Sequence, residues 1–249
     1  MKITLKERLE KAASLVGFDS FDHTASAMIP RRCGKRIYVS DVGCDHAYLS
    51  LSLVLSGVAD GAIASDVREG PLEAAQANIS RYGCEDKIDT LLTDGLIGVE
   101  KYDPTDIVIC GMGGETIMTI LNEAPFVKTV GRRVILQPQT GVAELAIYLQ
   151  MNGFRVYAER YALDDKKPYR IFGAVYDGIS RDISLTDALL GQPTFDEDLD
   201  AYLAFCRKTA AGIAKKAQGI RASGKDASEL DALYADMMQR ISDIESNRK

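Results

Sequence analysis

The sequence predicts a doubly wound α/β domain that ends in an antiparallel strand and carries an α-helical coiled-coil hairpin at its C-terminus. The chain has 249 residues, of which 46% are hydrophobic, so it can bury a full core and still supply a second unit. Between residues 36 and 152, short apolar β-rich runs alternate with helical segments, which is typical of a parallel sheet covered on both faces. Beyond residue 199, two apolar stripes at heptad spacing predict a pair of packed helices.

The first predicted element is a helix. Thr4 and Glu7 have the spacing of a capping box, and an apolar stripe runs from Leu5 to Val16. Residues 18–35 have no clear period and end in a basic cluster, so we expect a solvated loop there.

Seven runs are predicted to be strands. The first five alternate with helices and should be parallel, whereas the last two are joined by a polar loop too short for a crossover helix and should be antiparallel. The predicted strands are residues 37–41, 62–66, 88–92, 107–110, 134–137, 155–161 and 170–176, with helices at residues 70–82 and 141–152 among those between them. Five parallel strands followed by an antiparallel pair are typical of class I methyltransferases, whereas Rossmann domains that bind dinucleotides usually continue in parallel.

A second unit is predicted after the sheet. Turn-forming residues place the boundary between an α/β domain of residues 1–177 and a helical unit of residues 178–249. The two stripes of the helical unit flank the turn Ser223-Gly224-Lys225, which favours a coiled-coil hairpin. The alternative is two separate helices packed on the main domain.

Composition limits the function classes. No stretch could span a bilayer and the charged N-terminus does not resemble a signal peptide, so we expect a cytoplasmic protein without a membrane partner. The net charge of −6 argues against a uniformly basic nucleic-acid binder, although local basic patches stay possible. The sequence leaves the oligomeric state open, and a monomer is compatible with it. The cysteines have no paired spacing, so we expect reduced thiols and no metal site. They are Cys33, Cys44, Cys84, Cys110 and Cys206.

Candidate binding residues follow the first two strands, because ligands of doubly wound folds bind beyond the carboxyl ends of the strands. Gly43 allows close backbone approach, and the flanking Asp41 and Asp45 suit a cationic ligand with an ammonium and a sulfonium group but would repel a pyrophosphate. Asp66, followed by Val67, stands where a carboxylate accepts the ribose hydroxyls of a nucleoside.

The later strands end in further candidates. Asp94 and Gly95 follow the third strand, and any one such Asp could alone be a helix cap, but three on successive strand ends argue against coincidence. A glycine-rich turn follows the fourth strand, and there a flat base could approach a methyl donor. Its residues are Gly111 and Met112, expected at the cofactor, and Gly113 and Gly114, expected at the substrate. Gln137 ends the fifth strand, where its amide could bind a base edge or be an ordinary loop group.

Five segments resemble the bacterial tRNA (adenine-22, N1)-methyltransferase family, also called TrmK. They are DVGCDHAYL, SDVREGPLEAAQANI, TDGL, IVICGMGGETI and ILQPQ, and together they cover the α/β domain almost end to end. The resemblance implies transfer of a methyl group from S-adenosylmethionine to N1 of an adenine in the D-arm region of tRNA, and the family also carries a C-terminal coiled-coil hairpin. Two segments depart from the family pattern: residues 18–35 are longer, and Lys167-Pro168-Tyr169-Arg170 has a base where an acid is expected.

Asp45 and His46 are the candidate catalytic residues. Adenine N1 carries a free lone pair, so its attack on a methyl group needs positioning more than deprotonation, and the product ring is cationic. The Asp45 carboxylate could stabilise that charge, with His46 as its hydrogen-bond partner. His46 could equally be a structural histidine, and for Tyr48 we expect a place in the core rather than at the base.

The first helix of the hairpin is strongly basic. No acidic residue stands between Asp200 and Asp226. The resulting excess of cations is larger than complementation of the helix dipole needs, although dipole complementation is the simpler explanation. The cations are Arg207, Lys208, Lys215, Lys216, Arg221 and Lys225. We expect four of them to contact tRNA phosphates, namely Lys208, Lys215, Lys216 and Arg221. A small-molecule methyltransferase and a non-catalytic tRNA- or protein-binding module are the alternative functions.

Overall fold

A seven-stranded sheet forms the centre of the computed structural model, which describes residues 3–17, 36–192 and 199–246. Its strands are β1 (Tyr38–Val42), β2 (Gly61–Asp66), β3 (Ile88–Leu92), β4 (Asp106–Met112), β5 (Arg133–Pro138), β6 (Phe154–Asp164) and β7 (Lys167–Tyr176). The strand order is β3-β2-β1-β4-β5-β7-β6, with β1 to β5 parallel and β7 antiparallel to both β5 and β6. The predicted doubly wound sheet with a closing antiparallel pair is confirmed.

Helices cover both faces of the sheet. They are α1 (Glu7–Ala13), α2 (Tyr48–Leu55), α3 (Glu69–Arg81), α4 (Gly114–Glu123), α5 (Val142–Met151), α6 (Leu185–Leu190), α7 (Leu199–Ala222) and α8 (Ser228–Ser246). Strand side chains alternate between two cores: Val108 packs with α1, α2 and α3, whereas Ile107 and Ile109 pack with α4, α5 and α6. Within the described ranges, none of these helices is both long and apolar enough to cross a membrane.

The start of α1 differs from the prediction. The helix begins at Glu7, and the residue before it, Lys6, is extended and gives no side-chain cap. Glu7 is therefore the first helical residue and not the third, so the capping-box interpretation of Thr4 and Glu7 is wrong. The predicted loop at residues 18–35 lies outside the described residues.

The last two strands are longer than predicted. They run to a two-residue turn, Asp165 and Lys166, which have φ angles of 49° and 64°. Two successive left-handed residues are the geometry of a type I′ hairpin turn, which matches the twist of the flanking strands. The predicted polar loop is therefore only two residues long, and Lys167 and Tyr169 belong to β7.

The four cysteines in the described part of the chain, Cys44, Cys84, Cys110 and Cys206, are free thiols, and all except Cys110 are buried. Cys33 lies outside the described residues.

Helices α7 and α8 pack against each other, so the alternative of two separate helices does not hold. The first half of α7 also packs on β6 and β7, where Tyr202 and Phe205 contact Tyr161. Beyond Ala210, Ala217 is the one buried residue of α7, so the outer part of the hairpin rests mainly on its own partner helix.

Polar contacts link the last two strands, α6 and α8 near the base of the hairpin. The Arg170 guanidinium contacts Glu159 Oε1 at 2.5 Å and donates to the Ala188 carbonyl at 2.7 Å. Arg240 of α8 donates to Asp187 Oδ1 at 2.6 Å. The Arg170 charge, in the segment that departs from the family pattern, therefore pairs with Glu159 of β6 and holds α6 against the sheet.

Candidate active site

A cavity of about 330 Å³ lies at the carboxyl ends of β1, β2, β3 and β4. It brings together eight of the nine residues predicted to bind the cofactor: Gly43, Asp45, Asp66, Val67, Asp94, Gly95, Gly111 and Met112. The site residues that the sequence prediction missed are Ser65, Arg68, Thr93, Cys110, Thr116 and Ile120, among others. Most of these stand directly beside a predicted residue, whereas Thr116 and Ile120 reach the cavity from α4, which no strand-end pattern could indicate.

The turn after β1 is fastened to β2. The backbone N–H groups of Gly43 and Cys44 both donate to the Ser65 carbonyl, at 2.8 and 2.9 Å. Gly43 has a φ of +72°, and a Cβ atom there would lie 2.5 Å from Cε of Met112. The left-handed conformation favours glycine here, whereas the Met112 methyl group is the end of a flexible side chain that could move aside.

The next residues of this loop are strained. Asp45 and Ala47 have φ angles of 51° and 57°, which non-glycine residues seldom adopt and which cluster at functional sites. The Asp45 side chain is 71% exposed at the mouth of the cavity, with Oδ1 3.8 Å from His46 Nε2. His46 does not line the cavity, and its ring lies 5.8 Å from that of Tyr48. Tyr48 is 42% exposed, so the expectation of a core tyrosine is wrong.

Asp66 is a nearly buried carboxylate whose remaining surface faces the cavity. Its Oδ1 accepts the backbone N–H of Arg68 at 3.0 Å, which orients the group. Among the described residues none donates to Oδ2, so this oxygen can accept hydrogen bonds from a ligand. Val67 beside it is 61% exposed and offers an apolar surface at the same rim.

Asp41, the ninth predicted cofactor residue, does not reach the cavity. Its carboxylate is buried and accepts a hydrogen bond from Ser50 Oγ of α2 at 2.7 Å. Burial raises the pKa of Asp41 to about 6, and the Ser50 hydrogen bond partly opposes the shift. Burial and, after it, the Asp41 charge also raise the pKa of Cys110 to about 12. Asp41 therefore lies behind the floor of the cavity.

The charge of the cavity is predominantly negative. Asp45, Asp66 and Asp94 contribute three carboxylates, against the single guanidinium of Arg68, which is 71% exposed and 3.5 Å from Asp66. Such a lining favours a cationic ligand. In residues 3–17, 36–192 and 199–246, no three metal-ligating side chains come together as a metal site would require.

The glycine-rich turn after β4 divides into an open and a packed part. Gly111 is exposed with a φ of +82°, whereas Gly114 is buried. A Cβ atom on Gly114 would lie 2.5 Å from the Gly141 carbonyl oxygen, so close packing of α4 on the start of α5 requires this glycine. The predicted substrate contact at Gly114 is therefore corrected to a packing role, while Gly113 stays half-buried at the edge of the turn.

Gln137 is also less available than predicted. It is fully buried, and Arg8 Nη1 of α1 donates to its Oε1 at 2.9 Å, while its own Nε2 donates to the Pro138 carbonyl at 2.8 Å. The half-buried Gln139 lies nearer the surface, and its backbone N–H donates to the Met112 carbonyl at 2.7 Å. Gln137 therefore organises this edge, and Arg8, which the sequence analysis missed, holds it in place.

The cations of α7 differ in their surroundings. Arg221 donates to Asp231 of α8 at 2.6 Å, and Arg207 pairs with Glu245. Lys208, Lys215 and Lys216 are exposed and form no ion pair within the described ranges. The predicted phosphate-binding face thus keeps three uncommitted lysines, whereas Arg221 is partly neutralised within the hairpin.

Comparison with known proteins identifies the family. A family model described as a methyltransferase domain matches residues 26–172. The chain belongs to this methyltransferase domain family. The strand order and the cavity beyond the strand ends are consistent with that domain.

Individual relatives refine the comparison. The chain is 35% identical over 156 residues to the tRNA (adenine(22)-N(1))-methyltransferase of Bacillus subtilis, a match that covers 57% of this chain and 63% of that protein. The chain therefore matches less than two thirds of the length of that relative. A Streptococcus pneumoniae structure, described as a candidate tRNA (m1A22) methyltransferase in complex with S-adenosyl-L-methionine, is 28% identical, covers 97% of this chain and 99% of its own, and has a TM-score of 0.70.

A third relative shares the fold. M. capricolum TrmK in complex with S-adenosyl-homocysteine is 21% identical, covers 96% of this chain and 98% of its own, and has a TM-score of 0.74. The Bacillus subtilis and Streptococcus pneumoniae relatives confirm the resemblance to the TrmK family that the sequence predicted.

Proposed function

We propose that this chain transfers a methyl group from S-adenosylmethionine to N1 of an adenine in tRNA, at position 22 of the D-arm region. The observation that carries the proposal is the acid-lined cavity beside an open glycine turn at the carboxyl ends of β1, β2 and β4. The relatives described as tRNA (adenine-22, N1)-methyltransferases support the substrate.

The residues of the cavity fit this cofactor. Asp66 has an oxygen available for ribose hydroxyls, and Val67 offers an apolar face for the adenine ring. Asp45 and Asp94 supply negative charge for the ammonium and sulfonium groups, and Gly43 removes a side chain where the ligand would approach the backbone. Bound S-adenosylmethionine supplies an electrophilic methyl group.

The chain's own part in the reaction is to orient the base and to stabilise charge. Adenine N1 has no proton to lose, so no residue has to act as a general base. The backbone at Gly111 and Gly113 admits a flat ring beside Met112. Asp45, held at the mouth of the cavity by its strained backbone, stabilises the positive charge that develops on the ring. Nε2 of His46 lies 3.8 Å from Oδ1 of Asp45.

The hairpin supplies the affinity for RNA. A paired or stacked adenine must leave its stack, which costs a few kcal/mol, and extra binding surface offsets this cost. The uncommitted ammonium groups of Lys208, Lys215 and Lys216 can each neutralise a phosphate.

One experiment tests the proposal. The protein is incubated with methyl-labelled S-adenosylmethionine and an unmodified tRNA transcript, which is then digested to identify the labelled nucleoside. We expect 1-methyladenosine, and no label in a matched transcript with guanine at position 22. Cofactor binding without methylation of any RNA would support a non-catalytic module, and methylation of free adenosine would support a small-molecule enzyme.

A further inference from the structure

Lys167 and Tyr169 form a small polar-aromatic surface at the start of β7. Residues two apart on a strand share a face, and Nζ of Lys167 lies 4.9 Å from the centroid of the Tyr169 ring. Ile171, the next residue of that series, packs in the core that contains α1, so the pair lies on the α1 side of the sheet. We call Lys167 and Tyr169 the β7 platform.

The β7 platform is connected to the glycine turn by two contacts. Lys167 Nζ donates to Gln139 Oε1 at 3.1 Å, and the Gln139 backbone N–H donates to the Met112 carbonyl at 2.7 Å. Met112 itself lines the cavity. Gln139 is therefore the one residue between the platform and the turn where the target base would approach the cofactor.

The charge of Lys167 is uncommitted, unlike the charges of the two nearby arginines. Arg8 lies 3.3 Å from Asp164 and Arg170 contacts Glu159. Lys167 is exposed and forms no ion pair with any described residue; its contacts are a neutral amide and a ring, which an ammonium can exchange for a phosphate at little cost.

The ring of Tyr169 is half-buried, so part of its surface reaches solvent. Its paired residue on β6 is Ala162, whose methyl group is too small to cover the ring. An aromatic ring beside a free cation is the combination by which proteins hold single-stranded nucleotides, since the base stacks and the backbone phosphate meets the charge.

We propose that the β7 platform binds a nucleotide next to the target adenine, with its base stacked on Tyr169 and its phosphate paired with Lys167. This proposal rests on the proposed function, because its ligand is the substrate RNA. The platform holds the flanking nucleotide outside the RNA stack while the target base lies at the glycine turn. Lys167 and Tyr169 belong to the segment that departs from the family pattern, in which only Arg170 has so far been given a role.

The test uses the full-length protein and the unmodified tRNA transcript. Tyr169→Leu removes the ring and Tyr169→Phe keeps it, whereas Lys167→Gln removes the charge and Lys166→Gln removes a matched charge at the neighbouring turn. Measured quantities are the Kd and KM for tRNA, the salt dependence of the Kd, kcat, and the Kd for S-adenosylmethionine.

We expect Tyr169→Leu to raise the Kd and KM for tRNA about tenfold, because base stacking on an aromatic ring is worth about one decade in affinity. Tyr169→Phe keeps the ring and should leave both constants at their wild-type values. Lys167→Gln should reduce the slope of log Kd against log salt by about one unit, and Lys166→Gln should leave it unchanged. The Kd for S-adenosylmethionine should stay the same in all four variants.

A transcript that is abasic at the nucleotide flanking the target tests the platform with the unaltered protein. Loss of that base should weaken wild-type binding as much as Tyr169→Leu does, and combining the two changes should cost nothing more. Additive losses, or equal affinities for the Leu and Phe variants, overturn the proposal. If the wild type binds tRNA without methylating it, the proposed function fails while the Kd values still decide on the platform; if it does not bind tRNA, both fail.

Discussion

Replacing Asp41 by Asn removes a charge that the fold keeps out of water, and we expect the variant to be more stable than the wild type at neutral pH. The folded protein holds the Asp41 pKa at about 6, against 3.8 for an ordinary Asp. The folded state therefore binds the proton more tightly than the unfolded chain does. The destabilisation is absent below about pH 4, grows as the pH rises, and is complete above the folded pKa.

The difference between these two pKa values corresponds to about 3 kcal/mol of lost stability at pH 8. Asparagine has the same shape and can still accept the Ser50 hydrogen bond, so the substitution should recover most of this free energy. Urea unfolding of the Asp41→Asn variant and the wild type at pH 8 and near pH 4 measures it. The variant should be more stable by about 2–3 kcal/mol at pH 8 and equal to the wild type near pH 4.

Asp106 on the adjacent strand β4 provides a matched control. It is equally buried, but its carboxylate contacts the Arg133 guanidinium at 2.5 and 2.6 Å. Asp106→Asn should therefore destabilise the protein at pH 8, because it removes one partner of a buried ion pair. If Asp41→Asn lowers stability by the same amount at both pH values, burial of the Asp41 charge does not control its energetics and the argument is refuted.

Three further predictions concern function. Asp66→Ala should weaken S-adenosylmethionine binding by about 1.5–3 kcal/mol for each ribose hydrogen bond lost, and unchanged affinity in calorimetry would remove Asp66 from the site. Asp45→Ala should lower kcat far more than cofactor affinity, as expected of a group that acts in the transition state; a fall in affinity alone would make Asp45 a cofactor ligand. Reversing the charges of Lys208, Lys215 and Lys216 should weaken tRNA binding and reduce its salt dependence by about one unit of slope per phosphate contact, and a protein that stays helical with wild-type affinity would contradict this.

The sheet could be predicted because each strand is a short apolar run and each connection length decides between parallel and antiparallel pairing. The residues on the rim of the cavity could be predicted because they directly follow the carboxyl ends of the strands. The error at Asp41 has a simple geometric origin. The prediction ended the first strand at Asp41, which would place it on the rim, but β1 continues to Val42, so the Asp41 side chain lies within the sheet and turns towards Ser50.

Other parts of the site have no local signal in the sequence. The hydrogen bond from Arg8 to Gln137 joins residues 129 positions apart, and only the packing of α1 on the sheet brings them together. The glycines at Gly111 and Gly114 look alike in the sequence, yet one is open and the other packs on α5. Glycine content alone cannot separate conformational freedom from close packing.

The contact between the hairpin and the sheet sets the distance from the cavity to the lysines of α7. Helix α7 has 24 residues and is about 36 Å long, and its base cannot pivot without separating Tyr202 and Phe205 from the buried Tyr161 ring of β6. The span between the cavity and the outer lysines is therefore a fixed length. Under the proposed function, an RNA in which the target base and the contacted phosphates are separated by that length engages both at once, so the enzyme selects the shape of the RNA before it reads any base.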